Sequence, residues 1–569
     1  MSAASRGVRH PYRARTVVFV LMSALMVLAG RAVYLQVVQG DYLLSQGSQR
    51  HSRVVKDNSH RGMILDRYGA PLAVSTPVDS VWAHPETLAQ AHASWAALAQ
   101  QIDMTPRELA RLIERHRDRE FMYLKRHVTP SQAERITALN VPGVSLLREY
   151  RRYYPAGASA GHALGFTNID DAGQEGVELA YDAWLRAVPG RKRLLRDLHG
   201  NAVEQVESVT LAKSGRDLVL SIDRRIQYLA YRELKAAIER HHASAGSVVV
   251  LDAQSGEVLA LVNEPDFNPN NRSQLKSPVY RNRAVTDMYE PGSTMKPFTV
   301  AAAIESGRYT PRSFIDTAPG AVLVGHKTIR DTQNHGRLTL AGVLEKSSNV
   351  GATRIALSLN KQAYWETLRR LGFGDTTQSH LPGEADGRLN PPSRWVPIDQ
   401  ASLSFGYGIS VTPLQLARAY AAIANGGELK PISLLRLEAP ANGTPALSGS
   451  TARALQQMLE LAVMSDEGTG RLAQVPDYRV AGKTGTVRKL TARGYADDRY
   501  VAWFAGFAPA SNPRLVMVVM IDEPSRGGYF GGQVAAPVFS RVMGGALRLL
   551  DIPADAIRQP ARAPARGTI

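Results

Sequence analysis

A serine and a lysine three positions apart, Ser293 and Lys296, could form the reactive centre of an acyl-transfer enzyme. If a helix begins at the serine, this spacing places both side chains on one face. A serine hydroxyl is a weak nucleophile until a neighbouring base takes its proton. A lysine acts as that base only when burial or nearby cations lower its pKa. The apolar segment 298–304 would supply the burial, although Ser-x-x-Lys is common by chance.

Two further motifs strengthen this interpretation. Ser347 and Asn349 form a Ser-x-Asn pattern, and residues 482–486 read Gly-Lys-Thr-Gly-Thr. The three motifs occur in the order that is the signature of class A β-lactamases and penicillin-binding proteins. Ser293 would attack an acyl carbonyl and Lys296 would act as the base. Ser347 would relay a proton to the leaving amine, and Asn349 would hold a substrate amide.

The third motif would bind the substrate. Lys483 adds positive charge, which helps to keep the base neutral and attracts a substrate carboxylate. Thr484 and Thr486 would donate hydroxyl hydrogen bonds to that carboxylate, and Gly485 would let an extended peptide lie against a strand edge. Backbone amides of Ser293 and Thr486 would form an oxyanion hole, in which each donor is worth roughly 3–4 kcal/mol in comparable enzymes.

Other chemistries fit the sequence less well. A phosphate-binding loop ending at Gly482-Lys483-Thr484 would need glycine at position 477, which is Asp477. A Gly-x-Ser-x-Gly elbow fails because Met295 occupies the last glycine position. The fourteen histidines show no zinc-type spacing. The sequence therefore predicts no metal and no cofactor.

Composition and the N-terminus indicate an envelope protein. The chain has 569 residues, a formal net charge of +17 and no cysteine. No nucleic-acid-binding pattern accompanies the basic charge, so an anionic membrane or envelope surface is the better partner. Residues 1–15 carry four arginines and no acid, and residues 16–38 are long and apolar enough to cross a bilayer. We predict an uncleaved anchor with a cytoplasmic N-terminus rather than a cleaved signal peptide, with Arg31 reaching the outer interface.

The pattern of the remaining chain predicts an α/β (α+β) fold. Short amphipathic helices are expected in 86–140, and a texture change near residue 215 marks a boundary. Beyond it the sequence predicts a strand over 217–222, a hairpin over 247–262 and a meander that joins the Lys483 strand to strands at 499–507 and 514–522. Helices are expected at 225–239, within 340–372, at 412–423 and at 535–550.

Additional motifs lie in both halves of the chain. In the N-terminal half they include Arg61-Gly62, Asp66-Arg67, Arg152-x-Tyr154-Pro155 and Gly-Gln-Glu-Gly-Val-Glu at 173–178. The C-terminal half carries the three active-site motifs, Gly-Tyr-Gly at 406–408 and the segment 529–538. On these residues the chain resembles a class B penicillin-binding protein, and its length and short linker resemble the division-specific, septal branch of that class. We interpret the charged and glycine residues of the N-terminal motifs as turns and inter-subdomain ion pairs rather than catalytic groups.

The resemblance implies an organisation and an activity. It implies a basic cytoplasmic tail (1–15), a transmembrane anchor (16–38), a non-catalytic dimerisation or pedestal domain (39–210), a transpeptidase domain with an antiparallel sheet flanked by helices (211–552) and a disordered tail (553–569). The protein would be a single-pass protein of the cell inner membrane with a periplasmic catalytic domain. Its reaction would be D,D-transpeptidation of D-Ala-D-Ala stem peptides during septal peptidoglycan synthesis, and β-lactams would acylate Ser293. A membrane-embedded SEDS-type (FtsW-like) glycosyltransferase and other divisome proteins are the implied partners, and nucleic acid is not.

Several alternatives stay open. An elongation-type or specialised paralogue would share every motif. A membrane-anchored serine β-lactamase would share the three active-site motifs, but it needs a base for deacylation and has no use for a long N-terminal module. A β-lactam sensor or an inactive division scaffold is a further alternative, although an inactive scaffold would not need its catalytic residues. A carboxypeptidase differs only in using water as the acceptor, which the sequence does not decide.

Overall fold

In the computed structural model, the described residues are 11–42, 52–196, 202–271, 273, 277–492 and 494–556. They form two compact units whose segments alternate along the chain. The first unit takes Met1–Ser59, Pro77–Tyr150 and Ala187–Ser214, and the second takes His60–Thr76, Arg151–Arg186 and Gly215–Ile569. The tail predicted to be disordered lies largely outside the described residues, as do residues 1–10 of the basic tail. The boundary predicted near residue 210 stays a prediction.

The first unit contains the apolar N-terminal helix. An α-helix over Pro11–Val33 continues as a π-helical turn over Tyr34–Val38. Within it, the span Arg15–Val38 is long and apolar enough to cross a membrane, and its most apolar 18-residue stretch has a mean hydropathy of 2.1. None of its most apolar stretch is buried against the protein, which is consistent with the anchor predicted over 16–38.

The rest of the first unit contains the expected short amphipathic helices. Thr105 and Glu108 form a capping box, which is why the helix Pro106–Arg115 begins where it does and buries Leu109 and Ile113. One element in this region was not predicted, the strand Met122–Val128. Other elements of the unit include Ser52–Asp57, Pro85–Gln90, Trp95–Gln101, Pro130–Ala138, Gly190–Arg196 and Ala202–Thr210. The strands Pro71–Ala83 and Val144–Tyr153 belong partly to this unit and partly to the second.

A buried ion-pair cluster lies in the second unit among the N-terminal motifs. Glu178 is fully buried and accepts from Arg61 Nε and Arg152 Nε, each at 2.7 Å. Arg61 also binds Asp182 at 2.7 Å. Removing one partner of a buried pair leaves an uncompensated charge, so these residues depend on one another. The predicted ion pairs form, but the three above lie within the second unit, so a role in joining subdomains stays a prediction.

The second unit is built on a five-stranded antiparallel sheet, called the central sheet. Its order is Val258–Glu264, Ala245–Asp252, Leu515–Asp522, Gly494–Ala508 and Ala481–Thr491. The hairpin and the meander predicted from the sequence are both confirmed. The strand Ala481–Thr491 forms one edge of the sheet and is called the edge strand.

Helices cover both faces of the central sheet. Successive side chains of a strand point to opposite faces. Val249 and Leu251 accordingly join one hydrophobic core with the helices Lys296–Glu305 and Pro413–Ala424, while Val248 and Val250 join a second core with Arg224–His241 and Ala536–Leu549. The remaining longer helices are Leu340–Glu345, Asn349–Ser358, Lys361–Arg370, Pro397–Leu403 and Gly449–Met464. These bounds confirm the helices predicted in this half of the chain.

The strand predicted over 217–222 is shorter than expected. Only Leu218–Val219 forms a strand, and it pairs in parallel with Ile64–Leu65. The next residues bond elsewhere, because Leu220 pairs with Leu435 and the Ser221 N–H donates to Leu434 O. The segment is therefore extended as predicted, but it changes partners after two residues.

Candidate active site

The candidate nucleophile lies in a single tight turn, called the serine turn. A 3-10 turn over Gly292–Met295 carries Ser293, and the α-helix begins at Lys296. Gly292 has φ +57°, and a Cβ there would come within 2.5 Å of Val487 Cγ1, so only glycine fits. The Thr294 hydroxyl donates to Pro291 O at 2.7 Å. The turn thus brings the serine and the lysine to the same side, as the spacing predicts.

The amine of Lys296 lies at the centre of the site. Its Nζ is 2.9 Å from Ser293 Oγ, 3.0 Å from Ser347 Oγ, 2.5 Å from Ser347 O and 2.8 Å from Asn349 Oδ1. The carbonyl oxygen of Ser347 and the amide oxygen of Asn349 can only accept hydrogen bonds. A neutral amine has two N–H groups, which these two oxygens use. Its lone pair is then available to the Ser293 hydroxyl.

Two effects favour the neutral form of this amine. Lys296 is completely buried, and burial is the largest cause that lowers its pKa well below the ordinary value. The positive charge of Lys483 lowers the pKa further, whereas the carboxylate of Asp331 acts in the opposite direction. The two lowering effects dominate, so the amine favours the neutral form that a general base needs.

Ser347 lies in the turn between the helices Leu340–Glu345 and Asn349–Ser358, and Asn349 is the first residue of the second helix. Ser347 has φ +57°, a left-handed conformation that is unfavourable for a residue with a side chain and is typical of functional sites. Asp331 holds the start of the second helix, because its Oδ1 accepts from the N–H of Asn349 at 2.5 Å and of Val350 at 3.0 Å. No sequence motif indicated Asp331, which comes from a distant loop.

The edge strand carries the third motif. Lys483 is completely buried, and burial lowers its pKa to about 7. Its Nζ donates to Thr484 O at 3.3 Å and Thr484 Oγ1 at 3.4 Å, and lies 3.5 Å from Thr469 Oγ1. Thr484 Oγ1 in turn donates to Thr469 Oγ1 at 3.1 Å. Thr469 is a second residue that sequence reasoning missed, because it belongs to none of the three motifs.

Two glycines, Gly485 in the edge strand and Gly531 beside it, allow close packing. A Cβ on Gly485 would lie 2.7 Å from Pro291 O and 3.0 Å from Thr294 Cγ2, so the edge strand touches the serine turn here. Thr486 Oγ1 accepts from the Gly531 N–H at 2.9 Å. The structure therefore brings Ser293, Lys296, Ser347 and Asn349 into one cluster and packs the 483–486 segment against it.

Comparisons with known proteins agree with this geometry. A family profile described as "Penicillin binding protein transpeptidase domain" matches residues 246–544, and one described as "Penicillin-binding Protein dimerisation domain" matches residues 56–220. The chain therefore belongs to the penicillin-binding proteins, in the class that joins a dimerisation domain to a transpeptidase domain.

Within that class the similarity points to the FtsI type. The chain is 42% identical over 542 residues to peptidoglycan D,D-transpeptidase FtsI of Escherichia coli K12, covering 94% of this chain and 92% of the relative. It is 41% identical over 547 residues to the probable peptidoglycan D,D-transpeptidase PbpC of Pseudomonas aeruginosa, covering 96% and 97%.

Solved structures support the same fold. Penicillin-binding protein 3 of Mycobacterium tuberculosis in complex with aztreonam matches 88% of this chain and 98% of that chain, with 28% identity and a TM-score of 0.68. The transpeptidase domain of Burkholderia pseudomallei penicillin-binding protein 3 is 45% identical, covers 59% of this chain and 98% of that chain, and has a TM-score of 0.55. The predicted fold, a mixed N-terminal module followed by a sheet-and-helix transpeptidase domain, is confirmed.

Proposed function

We propose that the protein is a peptidoglycan D,D-transpeptidase of the FtsI type that cross-links stem peptides through an acyl-enzyme on Ser293. The observation that carries the proposal is the buried Lys296 amine, 2.9 Å from Ser293 Oγ, with both N–H groups engaged by Ser347 O and Asn349 Oδ1. This arrangement prepares a general base for one hydroxyl.

In the first half-reaction, Ser293 Oγ attacks the carbonyl carbon of the penultimate D-alanine and gives its proton to Lys296. The peptide C–N bond breaks, and the Ser347 hydroxyl passes a proton from Lys296 to the leaving D-alanine amine. The contacts of Lys296 Nζ with both hydroxyls, at 2.9 and 3.0 Å, support this relay. In the second half-reaction, an amine of a neighbouring stem attacks the ester carbonyl carbon, the bond from that carbon to Ser293 Oγ breaks, and a proton of the amine passes through Lys296 to Ser293 Oγ.

Substrate binding falls to Asn349 and the edge strand. Asn349 holds a substrate amide, Lys483 attracts the terminal carboxylate, and Thr484 and Thr486 donate hydroxyls to it. Gly485 lets the edge strand lie close against the serine turn, and an extended peptide binds along the outer side of this strand, a form of β-strand addition. The backbone N–H groups of Ser293 and Thr486 stabilise the oxyanion. The fully buried positions of both lysines support an electrostatic site shielded from water.

We further propose the cellular setting. The apolar helix anchors the protein in the inner membrane as a single span, with the basic tail in the cytoplasm and the catalytic domain in the periplasm. The module boundaries predicted at 39–210 and 211–552 are part of this proposal. A membrane-embedded SEDS-type glycosyltransferase similar to FtsW, together with other divisome proteins, supplies and positions the strands during septal synthesis. The anchor span Arg15–Val38 and the FtsI-type relatives support this setting.

The test is intact-mass spectrometry of the full-length protein in detergent, followed over time after addition of benzylpenicillin, with Ser293→Ala as the control. We expect a stable mass increase equal to the drug, absent from the Ser293→Ala variant. An adduct that disappears as the drug is consumed would identify a β-lactamase. A folded wild-type protein that forms no adduct would contradict the catalytic proposal and favour a scaffold. Incubation with a D-Ala-D-Ala peptide, with and without an acceptor amine, then separates transpeptidase from carboxypeptidase.

A further inference from the structure

Glu290 is a buried carboxylate three residues before Ser293, and no step of the proposed reaction uses it. Its Oε1 accepts from the Gly408 N–H at 2.8 Å and from the Tyr495 hydroxyl at 2.9 Å. Its Oε2 is buried and has no hydrogen-bond donor among the residues that the structure describes. Burial raises the pKa of Glu290. A buried acceptor without a donor is destabilising, so a role beyond folding would explain the residue.

Glu290 joins the serine turn to the loop 406–408. The Gly292 N–H donates to Gly406 O at 3.2 Å, and a Cβ on Gly406 would lie only 2.1 Å from Gly292 O. The loop and the turn are therefore in backbone contact. The bond from Gly408 to the Glu290 carboxylate holds the far end of this loop as well. A shift of Glu290 would move both segments.

Glu290 also joins the serine turn to the hairpin that the edge strand forms with the strand Gly494–Ala508. Tyr495 lies opposite Leu490 near the end of that hairpin, and the pairing register shifts at Lys489. Tyr495 packs against the ring of Tyr407 with centroids 5.5 Å apart, and its hydroxyl reaches Glu290. The Trp503 Nε1–H, on the returning strand, donates to the backbone oxygen of Glu290 at 3.2 Å.

At the register shift, Lys489 attaches the other strand of the hairpin to the central sheet. Its Nζ lies 2.7 Å from both Asp522 and Glu523, at the end of the strand Leu515–Asp522. Bulges next to active sites commonly redirect one side chain in this way. The hairpin end is thus attached to the sheet through Lys489 and to the serine turn through Tyr495 and Glu290. Residues 483–486 belong to the edge strand, at the base of this hairpin.

We propose that Glu290 is a positioning residue for acylation, which acts through Tyr495 and Gly408 to hold the hairpin and the loop 406–408 against the serine turn. The inference rests on the proposed function of Ser293. In this role the carboxylate needs one oxygen that accepts two hydrogen bonds, and it exchanges no proton with the substrate.

The test measures acylation of the full-length protein in detergent by a fluorescent penicillin, separating reversible binding from the rate constant of the covalent step. We expect Glu290→Ala to lower the covalent rate constant on the order of 10- to 100-fold with little change in binding, because small misplacements of reacting groups have effects of this size. Glu290→Gln should restore the rate to within a few-fold, since its amide oxygen can accept both hydrogen bonds.

A double-mutant cycle with Tyr495→Phe tests the pathway. Tyr495→Phe should slow the covalent step in the wild-type background and have no further effect in the Glu290→Ala background. The matched control is Glu305→Ala, at the C-terminal end of the helix Lys296–Glu305, where Glu305 accepts from the Ser448 N–H at 3.1 Å and from the Ser448 hydroxyl at 2.8 Å. This control should lower the thermal unfolding temperature without changing the covalent rate constant.

Three outcomes would overturn the inference: wild-type rates in Glu290→Ala, a Glu290→Gln variant as slow as Glu290→Ala, or effects of Glu290 and Tyr495 that multiply independently. A wild-type protein that is not acylated at all would instead contradict the proposed function, so the two failures are distinguishable.

Discussion

The carboxylate of Asp331 allows one substitution to separate the placement of Asn349 from the protonation of Lys296. Asp331 accepts from the N–H groups of Asn349 and Val350, and its Oδ2 accepts from Ser348 Oγ at 2.5 Å. Ser348 Oγ in turn accepts from the Gly351 N–H at 2.8 Å. The first N–H groups of the helix are therefore satisfied through one acid and the serine it binds. Asp331→Ala removes the acid.

The size of the effect follows from these bonds. Losing a cap at a helix N-terminus costs about 1–2 kcal/mol, and a hydrogen bond to a charged group contributes about 1.5–3 kcal/mol. Because the bonds share one group and are not additive, we expect Asp331→Ala to lower the free energy of unfolding by about 2–4 kcal/mol. If half of this energy positions Asn349, and with it Lys296, acylation slows by roughly tenfold.

The pH dependence distinguishes this mechanism from a change in the base. The negative charge of Asp331 raises the pKa of Lys296, so removing it lowers that pKa further. The rate of acylation should fall at every pH, and its acidic limb should not move to higher pH. The assay is the acylation rate of a fluorescent penicillin over acidic to neutral pH, with thermal unfolding in parallel.

The control for Asp331→Ala is Asp316→Ala, whose side chain is 61% exposed. It should change neither the stability nor the rate. An acidic limb that moves to higher pH in Asp331→Ala would refute the reasoning about Lys296. A variant that loses the expected free energy of unfolding but is acylated at the wild-type rate would refute the reasoning about Asn349.

Two further predictions concern packing. Glu178→Gln should lower the free energy of unfolding, measured by denaturant unfolding, by about 3–5 kcal/mol, because Arg61 and Arg152 lose a buried charged partner. Acylation per folded molecule should be unchanged. A variant as stable as the wild type would contradict the stabilising role of this ion-pair cluster. In Gly485→Ala the new methyl group meets the serine turn, and relieving such overpacking costs about 1–3 kcal/mol. Labelling of Ser293 by a fluorescent penicillin should therefore slow at least about tenfold. Labelling of the folded variant at the wild-type rate would contradict this prediction.

The residues of the candidate site that lie within motifs could be predicted from the sequence alone. Ser293 and Lys296 are close in sequence, so a single turn decides their contact. Helix bounds were also predictable where capping residues and apolar spacing agree, as at Arg224–His241, and the hairpin Ala245–Asp252 to Val258–Glu264 is local.

Long-range pairing was beyond sequence reasoning. The strand Ala245–Asp252 lies beside Leu515–Asp522, more than 200 residues away, and neither strand's apolar pattern specifies that partner. Asp331, Thr469 and the contacts of Glu290 share this property. Each is a polar residue whose neighbours come from a distant segment, so its position follows only from the tertiary fold.

Lys483 connects the activity of the site to the stability of the fold. Burial lowers its pKa from 10.5 to about 7, and Lys483 is fully buried. Between about pH 7 and pH 10.5 the unfolded chain therefore binds more protons than the folded one, so stability rises with pH across this window and is flat below it. At roughly 1.4 kcal/mol per pH unit, this difference destabilises the fold by about 5 kcal/mol at pH 7.

Lys483→Met should therefore stabilise the folded protein while impairing its acylation. We expect the free energy of unfolding at neutral pH to rise by several kcal/mol, reduced by the lost bonds to Thr484, and its pH dependence above pH 7 to flatten. The same change removes a positive charge that lowers the pKa of Lys296, so the acidic limb of acylation should move to higher pH. Chemical denaturation and acylation profiles measure both effects. A Lys483→Met variant that is less stable than wild type at pH 7 would show that hydrogen bonding, rather than desolvation, dominates this lysine.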